Sequence, residues 1–356
     1  MTFQSMNAEL LPTHTKALFA AAVHRAAALL RAGEVVALPT ETVYGLAANA
    51  LDATAVAKIY EIKGRPAHNP IIVHVADTAL AQRCAAVWPP VADSLAHTFW
   101  PGPLTLVLPR AKIIPDLVTA GGETVGVRWP SHPFMQAVIG ECGFPLAAPS
   151  ANPSNQISPT NAGHVLQHLA RKIPLVVDGG QSQVGIESTV LDLTAQPPRV
   201  LRPGMISEEA LVAVIGECGP HRALHGAETG SSEALRSPGL LEKHYSPKAK
   251  LLLLHWRNNT DLRRQLSNHN SSSDRTHIIA HTHIPAATDF AGVSVIPHDA
   301  EAFARALYAE LHRCDAAGAE LIVVEALPAT AAWRAIADRL HRAAASTPKS
   351  AIRPTP

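Results

Sequence analysis

Short aliphatic runs alternate with helical patterns along most of this chain, and this alternation is the feature that most constrains its fold. Runs such as 35–38, 71–75 and 175–178 have the length and side chains of buried strands. The Ala-rich stretch 16–32 predicts a helix, and Gly33 follows it as a typical C-terminal residue. The pattern predicts an α/β protein, and 47% hydrophobic residues with only 4% aromatic residues agree with it.

One long aperiodic stretch interrupts this alternation. Residues 218–248, rich in Gly, Ser, Pro, Glu and His, predict a linker that is unusually long for a connection. We therefore predict a catalytic domain at 14–217 and a smaller, doubly wound domain at 249–345. The Pro- and Ser-rich tail at 346–356 is predicted to be disordered.

Composition excludes several classes of protein. The formal net charge is +1, whereas a protein that holds nucleic acid mainly by neutralising phosphates is more basic. The four cysteines are far apart, which disfavours a zinc finger, a redox pair and a disulfide framework. His164 and His168 share a predicted helix face, but no third metal ligand has suitable spacing, so we predict no metal site. No apolar run approaches the ~18 residues of a membrane span, and we expect a cytoplasmic protein with no membrane association.

Three familiar catalytic or nucleotide motifs are missing from the sequence. It contains no G-x-x-x-x-G-K-[ST] segment, no G-x-G-x-x-G after a strand and no G-x-S-x-G elbow. A different group of residues must therefore carry any nucleotide chemistry.

Polar side chains gather instead where predicted strands end, which is where α/β sheets place their ligands. After Leu38, for example, Pro39 opens a predicted loop that runs through Leu46. Arginine forks bind phosphate in a bidentate manner, lysine acts as a point charge, and hydroxyl groups suit phosphate, ribose or a carboxylate. The candidate site residues of this kind are Thr42, Lys63, Arg65, Asn69, His74, Arg128, Ser150, Ser158, Ser188, Thr189 and Arg202.

Taken singly, these residues also fit ordinary structural roles. Lys63 and Arg65 could simply stabilise a helix C-terminus through its dipole. Ser150 and Ser158 could be turn residues beside prolines. His74, inside an apolar strand, could be a core histidine whose ring nitrogens have hydrogen-bond partners.

Several segments taken together resemble one family. In chain order, 39–46 (PTETVYGL), 63–70 (KGRPAHNP), 100–105 (WPGPLT), 127–130 (VRWP), 148–152 (APSAN), 187–190 (ESTV) and 201–204 (LRPG) resemble signature segments of the Sua5/YrdC/YciO family. The resemblance covers about residues 14–217. Segment 239–247, which contains HYSP at 244–247, and the second domain resemble the longer Sua5 subgroup.

The resemblance implies a twisted mixed α/β sheet with a basic concave cavity, followed by a smaller Rossmann-like domain. It implies an L-threonylcarbamoyladenylate synthase, which joins L-threonine, bicarbonate or CO2, and ATP and releases pyrophosphate. The product serves the formation of N6-threonylcarbamoyladenosine in tRNA. Mg2+ is expected to bind through the ATP phosphates, and a downstream threonylcarbamoyl-transferase complex and tRNA are the expected partners.

The resemblance also implies residue roles. The nucleotide would contact Arg65, Asn69, Thr124, Ser150, Ser158, Arg202 and, from the linker, Tyr245. Threonine or its carbamate would contact Thr42, His74, Arg128, the backbone of Ala148, and Ser188 or Thr189. Lys63 would neutralise phosphate charge, which makes Lys63, Arg65 and Arg128 the expected catalytic residues. Since the carbamate attacks the α-phosphorus directly, catalysis would rest on orientation and charge neutralisation rather than on a protein nucleophile.

Two other functions remain open at this point. One is a carbamoyltransferase-type maturation enzyme, although the hydrogenase type carries zinc-binding cysteine pairs that this sequence lacks. The other is a double-stranded RNA- or tRNA-binding module that uses the basic concavity.

Overall fold

The computed structural model describes residues 7–219, 245–267, 269 and 272–345. These residues form two compact units, and the first holds 7–154 and 158–219. The second holds 155–157 and the described residues from 245 onward. Most of the predicted linker 218–248 and all of the predicted tail 346–356 lie outside the described residues.

The first unit is built on a mixed sheet, as predicted. Its strands are Glu9–Pro12 (β1), Val36–Leu38 (β2), Gly45–Asn49 (β3), Val73–His74 (β4), Leu104–Pro109 (β5), Thr124–Arg128 (β6), Leu146–Ala147 (β7), Leu175–Asp178 (β8), Thr189–Asp192 (β9) and Arg199–Arg202 (β10). They lie in the order β1-β8-β2-β3-β7-β4-β6-β5-β9-β10. Parallel pairs such as β4–β6 and β5–β9 alternate with antiparallel pairs such as β2–β3 and β5–β6.

Seven helices of the described chain belong to this unit. They are Lys16–Arg31 (α1), Ala53–Lys63 (α2), Thr78–Cys84 (α3), Pro90–Phe99 (α4), Pro133–Cys142 (α5), Ala162–Leu169 (α6) and Glu208–Ile215 (α7). Local sequence sets their ends. Asp52 caps the first turn of α2 by accepting from two backbone N–H groups, and Gly64 ends the helix in the left-handed conformation. Lys63, the last residue of α2, is thereby delivered into the interior.

Two strands differ from the sequence-based expectation. The predicted loop through Leu46 instead turns back as β3, which pairs antiparallel with β2 from Leu38 opposite Gly45 onward. Gly, Leu, Ala and Asn are poor strand formers, but burial between β2 and β7 overrides that preference. β1 pairs in parallel with β8, so the sheet of the first unit begins before the predicted boundary at residue 14.

The second unit has an all-parallel sheet with intervening helices, which agrees with the predicted Rossmann-like architecture. Its strands Lys250–Leu254 (β11), Thr276–Ala280 (β12), Gly292–Val295 (β13) and Leu321–Glu325 (β14) lie in the order β11-β14-β12-β13. Its helices are Asn259–Leu266 (α8), Ala300–Ala316 (α9) and Arg334–Ala344 (α10), with short 3-10 turns at Ser273–Arg275, Ala287–Asp289 and Ala331–Trp333.

A buried carboxylate lies at the carboxyl edge of this parallel sheet. Glu325 ends β14, and its side chain accepts hydrogen bonds from the consecutive backbone N–H groups of His281, Thr282 and His283. Burial acts to raise the pKa of Glu325, but the bonds from His281 and Thr282 outweigh it and lower the pKa.

No helix within the described ranges is both long and apolar enough to cross a membrane.

Candidate active site

The strand order of the first unit gathers most of the predicted site residues. β4 lies between β7 and β6, so His74, Arg128 and the segment leading to Ala148 come from three neighbouring strands. β5 and β9 follow next, with Ser188 and Thr189 at the start of β9 and Arg202 at the end of β10.

Arg128 is a buried cation with both side-chain and backbone partners. Its Nη1 donates to Thr42 Oγ1 at 2.9 Å, and its Nε donates to the carbonyl of Gly102 at 3.3 Å. Its Nη2 lies 2.7 Å from Glu41 Oε1, and both side chains are almost completely buried. The guanidinium is therefore held in place by two different segments of the chain, the turn at 41–42 and the loop at Gly102.

The loop before β3 is fixed mainly by its own hydrogen bonds. Thr40 Oγ1 accepts from the backbone N–H groups of Thr42 and Val43 and donates to the carbonyl of Val43. Residues 184 and 185 donate to the carbonyls of Glu41 and Thr42. The side chains of Glu41 and Thr42 are thus presented to Arg128 from a rigid turn.

His74 lies beside Arg128 as its register partner across β4 and β6. Burial, and then the positive charge of Arg128, lower the pKa of His74 to about 3. The imidazole is therefore neutral at physiological pH and adds no charge to the site.

A second arginine lies on the β9 and β10 side. Arg202 donates from Nε to the carbonyl of Ser188 and from Nη2 to Ser188 Oγ, both at 3.1 Å. Ser188 Oγ also lies 2.8 Å from Thr105 Oγ1. Thr189 differs, because its hydroxyl donates to the carbonyl of Ile206 and so fixes the following loop.

The loop at 102–103 connects the two arginine clusters. Arg128 donates to the carbonyl of Gly102, and the backbone N–H of Thr189 donates to the carbonyl of Pro103. The Arg128 cluster and the Ser188–Arg202 cluster therefore lie on either side of one short loop.

Lys63 and the serine loop form a third cluster. The Lys63 ammonium group donates to the carbonyls of Ser150 and Asn152. Burial, and then the charge of Arg65, hold the pKa of Lys63 well below its usual range. In this structure Lys63 fixes the loop that carries Ser150.

Arg65 contacts the other end of the same motif. It donates to the carbonyl and the side-chain oxygen of Asn69 and to the carbonyl of Pro70. Asn69 is buried, while Arg65 remains partly exposed. These hydrogen bonds fix the 65–70 loop.

The remaining predicted contacts, Ser158 and Thr124 to the nucleotide and Ala148 to threonine, are spread over the unit. Ser158 is fully buried and donates to Glu187 Oε1 at 2.6 Å. Thr124 starts β6 and lines a small cavity with Pro70, Thr105 and Thr119. Ala148 is nearly buried and donates its backbone N–H to Ile72.

Tyr245 lies in the second unit. Its ring stacks on Tyr308 with centroids 5.9 Å apart, and the guanidinium carbon of Arg339 lies 5.3 Å from the ring centroid. The side chain is buried, and its φ of 62° is in the left-handed region. The nucleotide contact that we expected of Tyr245 stays a prediction.

Sequence reasoning assigned no role to Glu41, Thr105 or Glu187, which contact Arg128, Ser188 and Ser158. All three residues lie inside the family-like segments, so the segments themselves contain the signal. Each of these residues contacts a partner that is distant in sequence, and no spacing pattern in the sequence predicts such a contact.

Arginines at the strand ends of an α/β sheet are typical of proteins that bind small anions, so this region is the candidate site. Two family models match the chain, one described as telomere recombination (Sua5_yciO_yrdC) over residues 28–204 and one described as threonylcarbamoyl-AMP synthase, C-terminal domain, over 206–345. The chain belongs to the Sua5/YrdC/YciO family and has the long, two-domain Sua5 form.

Relatives and a solved structure agree with this membership. Threonylcarbamoyl-AMP synthase from Pyrococcus abyssi is 39% identical over 89% of this chain and 92% of its own length. The Bacillus subtilis protein of the same name is 40% identical over 90% of this chain and 92% of its own length. The crystal structure of P. abyssi Sua5 complexed with L-threonine matches with a TM-score of 0.85 and 37% identity, covering 94% of this chain and 96% of that chain.

Proposed function

We propose that this protein is an L-threonylcarbamoyladenylate synthase, which converts L-threonine, bicarbonate or CO2, and ATP into threonylcarbamoyl-AMP and pyrophosphate. The observation that carries the proposal is the close match, over nearly the whole chain, to threonylcarbamoyl-AMP synthases and to a structure that binds L-threonine. The buried Arg128 beside Thr42 and the neutral His74 suits the carboxylate and hydroxyl groups of that amino acid.

The arrangement supports a mechanism of orientation and charge neutralisation. Arg128 and Thr42 would hold threonine, and Ser188 would help to place its carbamate beside Arg202. Arg65 and Asn69, at the mouth of the 65–70 loop, would hold the nucleotide. The carbamate oxygen then attacks the α-phosphorus, and pyrophosphate leaves.

Mg2+ would enter with the nucleotide. Over 7–219 and the described residues from 245 onward, no group of three or more His, Cys, Asp or Glu side chains is arranged to hold a metal ion. The ion would therefore be bound through the ATP phosphates, where it neutralises negative charge. We further propose that the protein acts in the cytoplasm and passes its product to a threonylcarbamoyl-transferase complex and tRNA.

Product analysis tests this function. The purified protein is mixed with ATP, L-threonine and bicarbonate, and the nucleotide products are separated and identified by mass. We expect pyrophosphate and threonylcarbamoyl-AMP, with no release when threonine or bicarbonate is omitted. Formation of ADP and phosphate without threonine would contradict the proposal, and a requirement for carbamoyl phosphate would favour a carbamoyltransferase. Retention of double-stranded RNA independent of ATP would favour an RNA-binding module.

A further inference from the structure

Glu41 is a buried carboxylate that accepts no hydrogen bond. Only 6% of the residue is exposed, and within the described part of the chain neither carboxylate oxygen has a hydrogen-bond donor. Arg128 Nη2 approaches to 2.7 Å as an ion pair, but without the alignment of a hydrogen bond. Buried polar atoms without partners are few in native proteins, and each one calls for a functional or structural reason.

A loose backbone does not explain the missing donors. Thr40 closes the turn around Glu41 through three hydrogen bonds, and Ser182 Oγ donates to the carbonyl of Thr40. The carbonyl of Glu41 itself accepts from residue 184. The carboxylate is thus held in a fixed position, with Arg128 as its ion-pair partner but without an aligned hydrogen bond, as a preorganised binding group would be.

The charges around Glu41 match an amino-acid zwitterion. Arg128 supplies one positive charge and Glu41 one negative charge, while His74 is neutral. An α-amino acid carries a carboxylate and an ammonium group on the same carbon atom. If Arg128 holds the carboxylate of such a ligand, the ammonium group of the ligand lies close to Glu41, the ion-pair partner of Arg128.

We propose that Glu41 receives the α-ammonium group of L-threonine and so selects amino acids over hydroxy acids of the same shape. This inference rests on the proposed function, because it takes L-threonine as the ligand of the Arg128 cluster. On this proposal Glu41 recognises the substrate. The alternative is that Glu41 only neutralises the charge of Arg128.

A comparison of two ligands separates these roles. L-threonine and (2S,3R)-2,3-dihydroxybutanoate, which has a hydroxyl in place of the ammonium group, are titrated calorimetrically into the full-length protein without ATP or bicarbonate. We expect the wild type to prefer L-threonine by roughly ten- to a hundredfold, the size of a hydrogen bond between charged groups. In Glu41→Gln this preference should fall to within about threefold, since the amide cannot balance the ammonium charge. Glu61→Gln, an exposed glutamate on α2, is the matched control and should keep the wild-type preference.

The titrations can also contradict the role proposed for Glu41. Equal weakening of both ligands in Glu41→Gln would overturn the proposal, because it would show that Glu41 only supports Arg128. Equal affinity of the wild type for the two ligands would overturn the proposal as well. If Glu41→Gln does not fold, Glu41→Asp, which keeps the charge but shortens the side chain, is titrated in its place and should also lower the preference. The synthase function is judged separately, by threonine-dependent pyrophosphate release from the wild type.

Discussion

His74 and Arg128 are register partners on neighbouring parallel strands, so an imidazole and a guanidinium are buried side by side. Two cationic groups in contact would repel each other, and the pKa of His74 falls to about 3 as a consequence of burial and of Arg128. The site therefore keeps a single permanent positive charge at this point.

The lowered pKa predicts a pH-dependent stability. Since an unfolded histidine binds a proton below about pH 6.5 and the folded one does not, His74 should destabilise the fold as the pH falls from 6.5 towards 3. At pH 5 the cost should be about 2 kcal/mol, and above pH 7 it should vanish. Urea unfolding of the wild type and of His74→Asn at pH 7.5 and pH 5 measures this difference. His132 and His164 also have lowered pKa values, but they contribute equally to both proteins. An identical loss of stability in the two proteins would contradict the prediction.

Substitution of either site arginine should reduce activity. Arg65→Ala should leave the fold intact, whereas Arg128→Ala also leaves Glu41 as an unpaired buried carboxylate and should lower the free energy of unfolding. Arg128→Ala and Arg65→Ala each remove charge-assisted bonds worth about 1.5–3 kcal/mol, so activity should fall roughly tenfold to over a hundredfold. Lysine at either position should restore only part of it, because the fork geometry is lost. Arg25→Ala, which removes an exposed arginine on α1, should leave the rate of threonine-dependent pyrophosphate release unchanged. Wild-type rates in both site variants would mean that neither guanidinium contacts a substrate.

The neighbours Ser188 and Thr189 should differ in what they affect. Ser188 contacts Arg202 and Thr105, so Ser188→Ala should lower activity by about tenfold with a small effect on stability. The Thr189 hydroxyl is used by a backbone carbonyl, so Thr189→Val should lower the unfolding free energy by about 1 kcal/mol. Steady-state rates and urea unfolding of both variants test whether Ser188 affects activity and Thr189 affects stability. The reverse pattern would place Thr189 against the substrate.

Gly204 is predicted to be intolerant of any side chain. A Cβ atom there would lie 2.3 Å from the backbone nitrogen of Thr189 and 2.6 Å from its hydroxyl oxygen. Because backbone atoms cannot rotate away, Gly204→Ala should destabilise the protein by about 1–3 kcal/mol and disturb Ser188. Gly140 is the matched control, since it lies in α5 with no atom near its Cβ position. Gly140→Ala should stabilise the helix by up to about 1 kcal/mol, and equal thermal shifts in the two variants would refute the steric argument.

Tyr245 offers a test of whether the predicted linker covers the nucleotide. If the linker covers the nucleotide, Tyr245→Ala should weaken ATP binding or release hydrolysed intermediate, and ATP with threonine should protect 220–244 from protease. Since the ring packs on Tyr308, the alanine variant should also destabilise the second unit. Tyr245→Phe keeps the ring and serves as the control for packing. Full activity of the first domain alone, with proteolysis that ignores ligand, would contradict a covering role for the linker.

The sequence predicted the architecture well where hydrophobic periodicity was strong. The buried runs at β2, β8 and β14 and the helix α1 were all visible, because apolar side chains at strand or helix spacing have few other interpretations. β3 was missed because its residues are weak strand formers that depend on their neighbours in the sheet. β1 was missed because it is short and only partly buried.

The site was predictable in its composition but not in its pairings. The family-like segments supplied Arg128, Thr42 and Ser188, yet nothing in the sequence joined Arg128 to Glu41 across the fold. Which hydroxyl of the 188–189 pair faces an arginine was also undecided, because adjacent residues on a strand point to opposite faces and register decides between them.

The carboxylate of Glu325 has a consequence for the second unit. Consecutive backbone N–H groups at the carboxyl edge of a parallel sheet are where Rossmann-like folds hold the phosphates of a nucleotide. Here those of His281, Thr282 and His283 already bind an anion that belongs to the chain itself. A covalently attached competitor has a far higher effective concentration than a dissolved one. A dissolved anion could reach these amides only by displacing Glu325, so the chain itself occupies this anion-binding position of the second unit.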